Sequence, residues 1–223
     1  MRIEFAFAVF LLNAAIAFSA ELREVASFPD KQITGVGVST KSGRIFVNWS
    51  SIHATRKRRQ ARHGWQSVDR PQKKTPPQIA SDGIALDAKN GYLYYHALTG
   101  HTLYRIKTSF LTDEKLGKRE LESKVKNVGQ TPAPDGMLEA PNGGVYLTDL
   151  ENSAVVRWDP ASKRVEQVIG DKRLLWLDTL SCGPNGEMCV TASQIENMLR
   201  FNNGKSTRTG PYKLWKIIGV NRE

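Results

Sequence analysis

The sequence predicts an all-β fold, a β-propeller, and three observations carry that prediction. The first is a recurring hairpin. Met137 to Glu139 and Val145 to Thr148 read as strands joined by a Pro-Asn-Gly turn, and Asn-Gly between apolar runs is a strong hairpin signal. Asp82 to Tyr95 repeats the unit, with the same Asp-Gly opening and Asn-Gly turn. Gly35 to Val47 repeats it without the aspartate, and Asp178 to Val190 with one extra residue before the turn. The second observation is spacing: with Gly35, Gly83, Gly136 and Thr179 as equivalent points, the intervals are 48, 53 and 43 residues. Hairpins at such a period are the signature of propeller blades. The third is a further apolar strand after two of the hairpins, at His101–Ile106 and Ala154–Trp158.

Taken in order, the chain opens with Arg2 and an apolar run from Phe5 to Leu12, followed by Ala15-Ile16-Ala17. Charged start, short apolar core and small residues two apart are the pattern of a secretory signal peptide over residues 1–20. The run is shorter than the roughly 20 residues of a membrane-spanning helix. The expectation is a secreted or periplasmic protein without stable membrane insertion, with residues 21–223 as the propeller domain. An entering strand from Arg23 to Phe28 is placed to close the ring against the C-terminus, because closure removes exposed edges. Residues 51–78 break the pattern: they lack apolar periodicity and read as a basic linker or disordered insertion. Residues 79–128 give a second blade, 129–170 the most regular one, and 171–223 a fourth hairpin with a final strand from Tyr212 to Ile218.

The formal net charge of +10 invites a nucleic-acid reading. The excess is concentrated, however. Between Arg56 and Lys74 eight basic residues stand against the single acid Asp69. A solvated linker accounts for such a cluster, and no specific nucleic-acid partner is expected. Hydrophobic residues make up 40% of the chain, too few for a membrane bundle. The two cysteines, Cys182 and Cys189, flank the Asn185-Gly186 turn. A two-residue turn places them directly opposite, close enough for a disulfide. The extra residue in this repeat leaves two buried thiols as the alternative.

Several segments resemble the Yellow/major royal jelly protein family, specifically its bacterial members. They are Gly43-Arg-Ile-Phe-Val-Asn-Trp49, Asp82-Gly-Ile-Ala-Leu86 with Leu93 to Leu98, Leu103-Tyr-Arg-Ile106, Pro134-Asp-Gly-Met137 with Tyr146 to Glu151, Trp176 to Leu180, and Pro211 to Trp215. The resemblance covers roughly residues 30–49 and 79–218. It implies a six-bladed propeller in a considerably longer chain, against about four recognisable blades here. The missing part falls between Trp49 and Ile79, where the basic segment stands. A naturally short variant and an internally deleted or frame-shifted, non-functional gene product are the two explanations, and the aperiodic composition favours the second.

Propeller geometry then places candidate residues. Asp82, Asp135 and Asp178 precede or open inner strands and are expected to ring one mouth of the central channel. Asn48, His96, Asp149, Glu151 and Gln194, near the ends of second strands, reach the same face. Convergent carboxylates suit a divalent cation, calcium or zinc, held by Asp82 and Asp135, or an organic cation. The alternative is that each aspartate caps its own Asp-Gly turn. The segment Asp135-Gly-Met137 also resembles the Asp-Gly-Met motif of the senescence-marker/gluconolactonase propellers, whose aspartate is a metal ligand. The glutamate of that family's metal set is absent, because Ile33-Thr34 stand there. The expected function is a secreted, monomeric small-ligand-binding propeller. The alternative is a metal-dependent lactonase-like hydrolase or dopachrome-type isomerase on the same face. No Ser-His-Asp grouping, phosphate loop or Cys/His metal cluster is present in the sequence, and the four histidines are scattered.

Overall fold

A computed structural model describes residues 20–50, 81–140 and 143–220. The basic segment and, apart from Ala20, the expected signal peptide lie outside these residues. Four antiparallel sheets are formed. The first strand, β1 (Glu21–Phe28), belongs to the last of them. The first sheet is a hairpin of β2 (Gln32–Val38) and β3 (Ile45–Ser50). The second runs outward through β4 (Ser81–Asp87), β5 (Tyr92–Ala97), β6 (Thr102–Lys107) and β7 (Lys126–Gln130). Two short helices, α1 (Thr108–Leu111) and α2 (Lys118–Lys124), connect β6 to β7. The third comprises β8 (Met137–Glu139), β9 (Val145–Asp149), β10 (Ala154–Trp158) and β11 (Val165–Gly170). The fourth comprises β12 (Leu177–Cys182), β13 (Met188–Ala192) and β14 (Tyr212–Ile218), completed by β1. Glu21 stands opposite Ile218 and Phe28 opposite Tyr212, so the entering strand does pair with the C-terminal one. The protein is a β-propeller, with β2, β4, β8 and β12 as its inner strands.

Three junctions between sheets each carry their own apolar cluster. Ala85, Tyr94 and Leu103 of the second sheet meet Met137, Leu147 and Trp158 of the third. Tyr146 and Val155 of the third meet Leu177, Val190 and Trp215 of the fourth. Ile33 and Val36 of the first meet Cys189, Tyr212 and Leu214 of the fourth. Full burial of side chains such as Ile33, Leu147, Val155 and Ile217 contributes about 1.5–3 kcal/mol each relative to exposure. The opposite face of β4 is different. Ile84 and Leu86 are 59% and 50% exposed, an apolar strip.

The strand register corrects one expectation. Gly183 donates to the Glu187 carbonyl around Pro184-Asn185-Gly186, with Gly186 at φ +74°, so the loop has three residues rather than two. The register slips by one, setting Cys182 opposite Met188 and Ser181 opposite Cys189. The two thiols therefore point to opposite faces of the sheet, and no disulfide joins them. Burial pushes the Cys189 thiol up to about 11.

The inner strands approach most closely at the repeat-equivalent positions. A Cβ on Gly83 would sit 2.6 Å from the Met137 sulfur, and one on Gly136 would sit 2.3 Å from the Asp178 carbonyl oxygen. At the fourth sheet Thr179 takes the place of glycine and its hydroxyl donates to the Thr34 carbonyl at 2.8 Å. Gly136→Ala must therefore move backbone, and we expect a loss of at least about 2 kcal/mol in denaturant unfolding. Gly37→Ala is the control: a Cβ there meets nothing within 4 Å, and the change should fall within about 0.5 kcal/mol of wild type. Equal stability of the two variants would show that the inner strands are not in contact at Gly136.

Candidate functional site

Three aspartates stand where the inner strands crowd together, Asp82 exposed and Asp135 and Asp178 half-buried. Asp82 opens β4, Asp135 precedes β8 by two residues and Asp178 lies in β12. Burial pushes the Asp135 carboxyl up to about 7, and the charge of Asp178 and then of Asp82 adds to this. Only the indole of Trp176 works against it, donating from Nε1 to Oδ2 of Asp135 at 2.6 Å. Burial likewise raises Asp178 to about 6, with Asp82 contributing. Two hydroxyls pull it back from 3.1 Å, Ser193 Oγ beside Oδ2 and Thr179 Oγ1 beside Oδ1, each sharing its one proton with a nearer backbone carbonyl, Ile33 at 2.7 Å and Thr34 at 2.8 Å.

Turn capping is not what holds Asp135 and Asp178. The amides of Asp135 and Gly136 both donate at 3.0 Å to the Thr148 hydroxyl. The Thr179 amide donates to the Thr191 hydroxyl at 3.1 Å. Thr148 and Thr191 thus occupy one repeat position and leave the carboxylates of Asp135 and Asp178 turned elsewhere. Trp176 itself sits in the left-handed region at φ +49°, a costly backbone for a bulky residue. Its neighbours tie it down: Ser193 and Gln194 donate their amides to the carbonyls of Trp176 and Leu175.

The other expected residues do not join the cluster. His96 is fully buried, and its ring nitrogens are engaged with the Ala97 carbonyl at 2.7 Å and Thr131 Oγ1 at 2.9 Å. Burial holds it below the usual imidazole range, as a neutral internal strut. Asp149 caps its own turn, accepting from the amides of Glu151 and Asn152 and from the Asn152 side chain. Glu151 pairs with His101 at 2.9 Å on the surface, where such a bond contributes little. Asn48 is exposed and lies over Gly35. The Gln194 side chain braces the fourth sheet's loop through the Pro211 carbonyl and the Thr209 amide. Sequence reasoning missed Trp176, Ser193 and the two threonines. Thr148 and Thr191 could have been found by aligning the repeats, since each stands twelve residues after the axial position.

Among the described residues no group of three or more His, Cys, Asp or Glu side chains is arranged to hold a metal ion. No helix among them is long and apolar enough to cross a membrane. The family model of the major royal jelly protein matches residues 70–208, well over half of the chain. This chain belongs to the major royal jelly protein family. No curated protein matches this royal jelly family member by sequence. Among solved structures, it is similar to a gluconolactonase from Xanthomonas campestris, with 15% identity and a TM-score of 0.46 over 62% of this chain and 44% of that one. A luciferin-regenerating enzyme gives 11% identity and a TM-score of 0.44, over 83% of this chain and 52% of that one. The calcium-binding protein regucalcin from Agrobacterium tumefaciens gives 14% and 0.42, over 63% and 45%. The chain thus spans about half the length of these structures, and likeness at this level carries no argument about activity.

A carboxyl with a raised folded pKa holds its proton more tightly folded than unfolded. Its stabilising effect is complete below its unfolded value near 4 and is lost as pH rises through the folded value. For Asp135 the loss runs from about pH 4 to about pH 7. Asp159 and Asp171 have lowered values and change below that window with the opposite sign. Melting temperature of wild type should therefore fall relative to Asp135→Asn as pH rises across the window. A constant difference between the two proteins would show that Asp135 is not buried with its neighbours.

Proposed function

We propose that this chain is a ligand-binding propeller whose axial carboxylates receive a small organic cation, an amine. The observation that supports this is an imbalance. The chain carries 32 Lys and Arg, yet among the described residues none of the ion pairs involves Asp82, Asp135 or Asp178. Asp135 and Asp178 are half-buried and crowd each other, so a cation between them relieves repulsion that the protein leaves uncompensated. The indole of Trp176 lies against Asp135, and an aromatic wall beside carboxylates fits an ammonium group on a carbon body. A divalent ion, calcium or zinc, is the competing occupant, and the paired carboxylates alone support it. The lactonase-like reading has less to stand on: Ile33-Thr34 occupy the place of that family's glutamate, and Thr34 offers only its backbone to Thr179. Export to the periplasm or beyond belongs to the same proposal, supported by the composition of residues 1–20.

Tyramine, calcium and zinc, each titrated against purified protein in a thermal unfolding assay, test the reading. Tyramine at about a hundredfold excess over its dissociation constant should stabilise the fold by about 2.7 kcal/mol. Asp135→Asn should remove that stabilisation, while its amide oxygen still accepts from Trp176. Because the cation favours the ionised carboxylates, affinity should strengthen from about pH 5 to about pH 8 with release of protons. Stabilisation by calcium or zinc alone would replace the amine with a metal. No shift with any of the three would sink the binding proposal.

A further inference from the structure

A cavity of polarity opposite to the axial carboxylates lies on the fourth sheet. The turn from Asp171 to Leu175 leads from β11 into β12 and lies against the mouth-side ends of β13 and β14. Between them is a cavity of about 290 Å³ whose lining includes Lys172, Arg173, Leu175, Gln194, Lys213 and Trp215. The lining holds three cations and no carboxylate. The acids that answer two of these cations stand outside it. Asp171 receives two hydrogen bonds from the Arg173 guanidinium, at 2.9 and 2.6 Å, and Glu24 of β1 receives one from Lys213. Lys172 is exposed at the rim.

The aromatic wall supplies the second observation. Trp215 is 3% exposed, and its indole Nε1 is buried without a hydrogen-bond partner among the described residues. The Arg173 guanidinium lies 5.0 Å from the centroid of the Trp215 ring and the Lys213 ammonium 5.5 Å from it. Both cations thus lie over the Trp215 ring, and Leu175, Ala192 and Pro211 supply the rest of the apolar lining. The side-chain amide of Gln194 is already spent on Pro211 and Thr209 and offers nothing to a ligand.

We propose that this cavity is a binding site for a small organic anion, a carboxylate carried on a flat or apolar body. The carboxylate lies toward Lys172, Arg173 and Lys213, and the body packs against Trp215. The site is chemically the inverse of the axial mouth and is separated from it by one residue step. Leu175 lines the anion cavity, while the adjacent Trp176 donates to Asp135.

Calorimetric titration of the full chain with benzoate, and with benzamide as its uncharged counterpart, tests the assignment. Benzoate should bind saturably and quench tryptophan fluorescence, and benzamide should bind about tenfold more weakly, the size of one charge-assisted hydrogen bond. Lys172→Gln, at an exposed position, should weaken benzoate by a similar factor without altering the melting temperature. Absence of saturable benzoate binding, equal binding of benzamide, or undiminished binding by Lys172→Gln would each overturn the proposal.

Discussion

The contact on which the structure depends is the meeting of inner strands at the axis. Strands carrying ordinary side chains stack about 10 Å apart face to face. Here the β-carbon is missing at Gly83 and Gly136, and the next strand's backbone or side chain fills the space it would occupy. At Thr179 the side chain remains but turns into a donor to the neighbouring carbonyl. The same repeat position thus serves as the point of closest approach in three consecutive sheets. Any side chain immediately before it is carried toward the axis as well.

That crowding explains the electrostatics of the mouth. Asp82, Asp135 and Asp178 each precede the tight position, so closeness of the strands becomes closeness of the carboxylates. Removal from water and mutual repulsion then act together to raise Asp135 and Asp178. The donors around them are few: an indole in β12's lead-in, the hydroxyl of Thr179 next to Asp178, and that of Ser193 just after β13. A carboxyl in this setting keeps its proton to higher pH than a free one.

The fold was legible because the repeats carry their own punctuation. The apolar runs at Ala154–Trp158 and Tyr212–Ile218 and the Asn-Gly turns mark strands whose two faces are both largely buried. What was not legible lacks that pattern. β7 is an outer strand with the sequence Lys-Asn-Val-Gly-Gln, largely exposed, and α2 is a charged helix with no buried residue. Neither leaves an apolar period to read. The three axial aspartates were found from repeat position, whereas Trp176 was not singled out, since nothing local shows that its indole reaches a residue 41 positions earlier. The cysteine register failed for a narrower reason: one added loop residue moves every later side chain to the other face.

The pairing of β1 with β14 also sets the order of events during synthesis. β1 is made first and can find its hydrogen-bonding partner only after residues 212–218 have been made. Until then Leu22, which packs against the cluster around Val190 and Trp215, has nowhere to bury its side chain. The second and third sheets, by contrast, pair strands close in sequence and can assemble earlier. Ring assembly therefore ends on a contact between distant parts of the chain, with an unpaired strand open to rival partners until that moment.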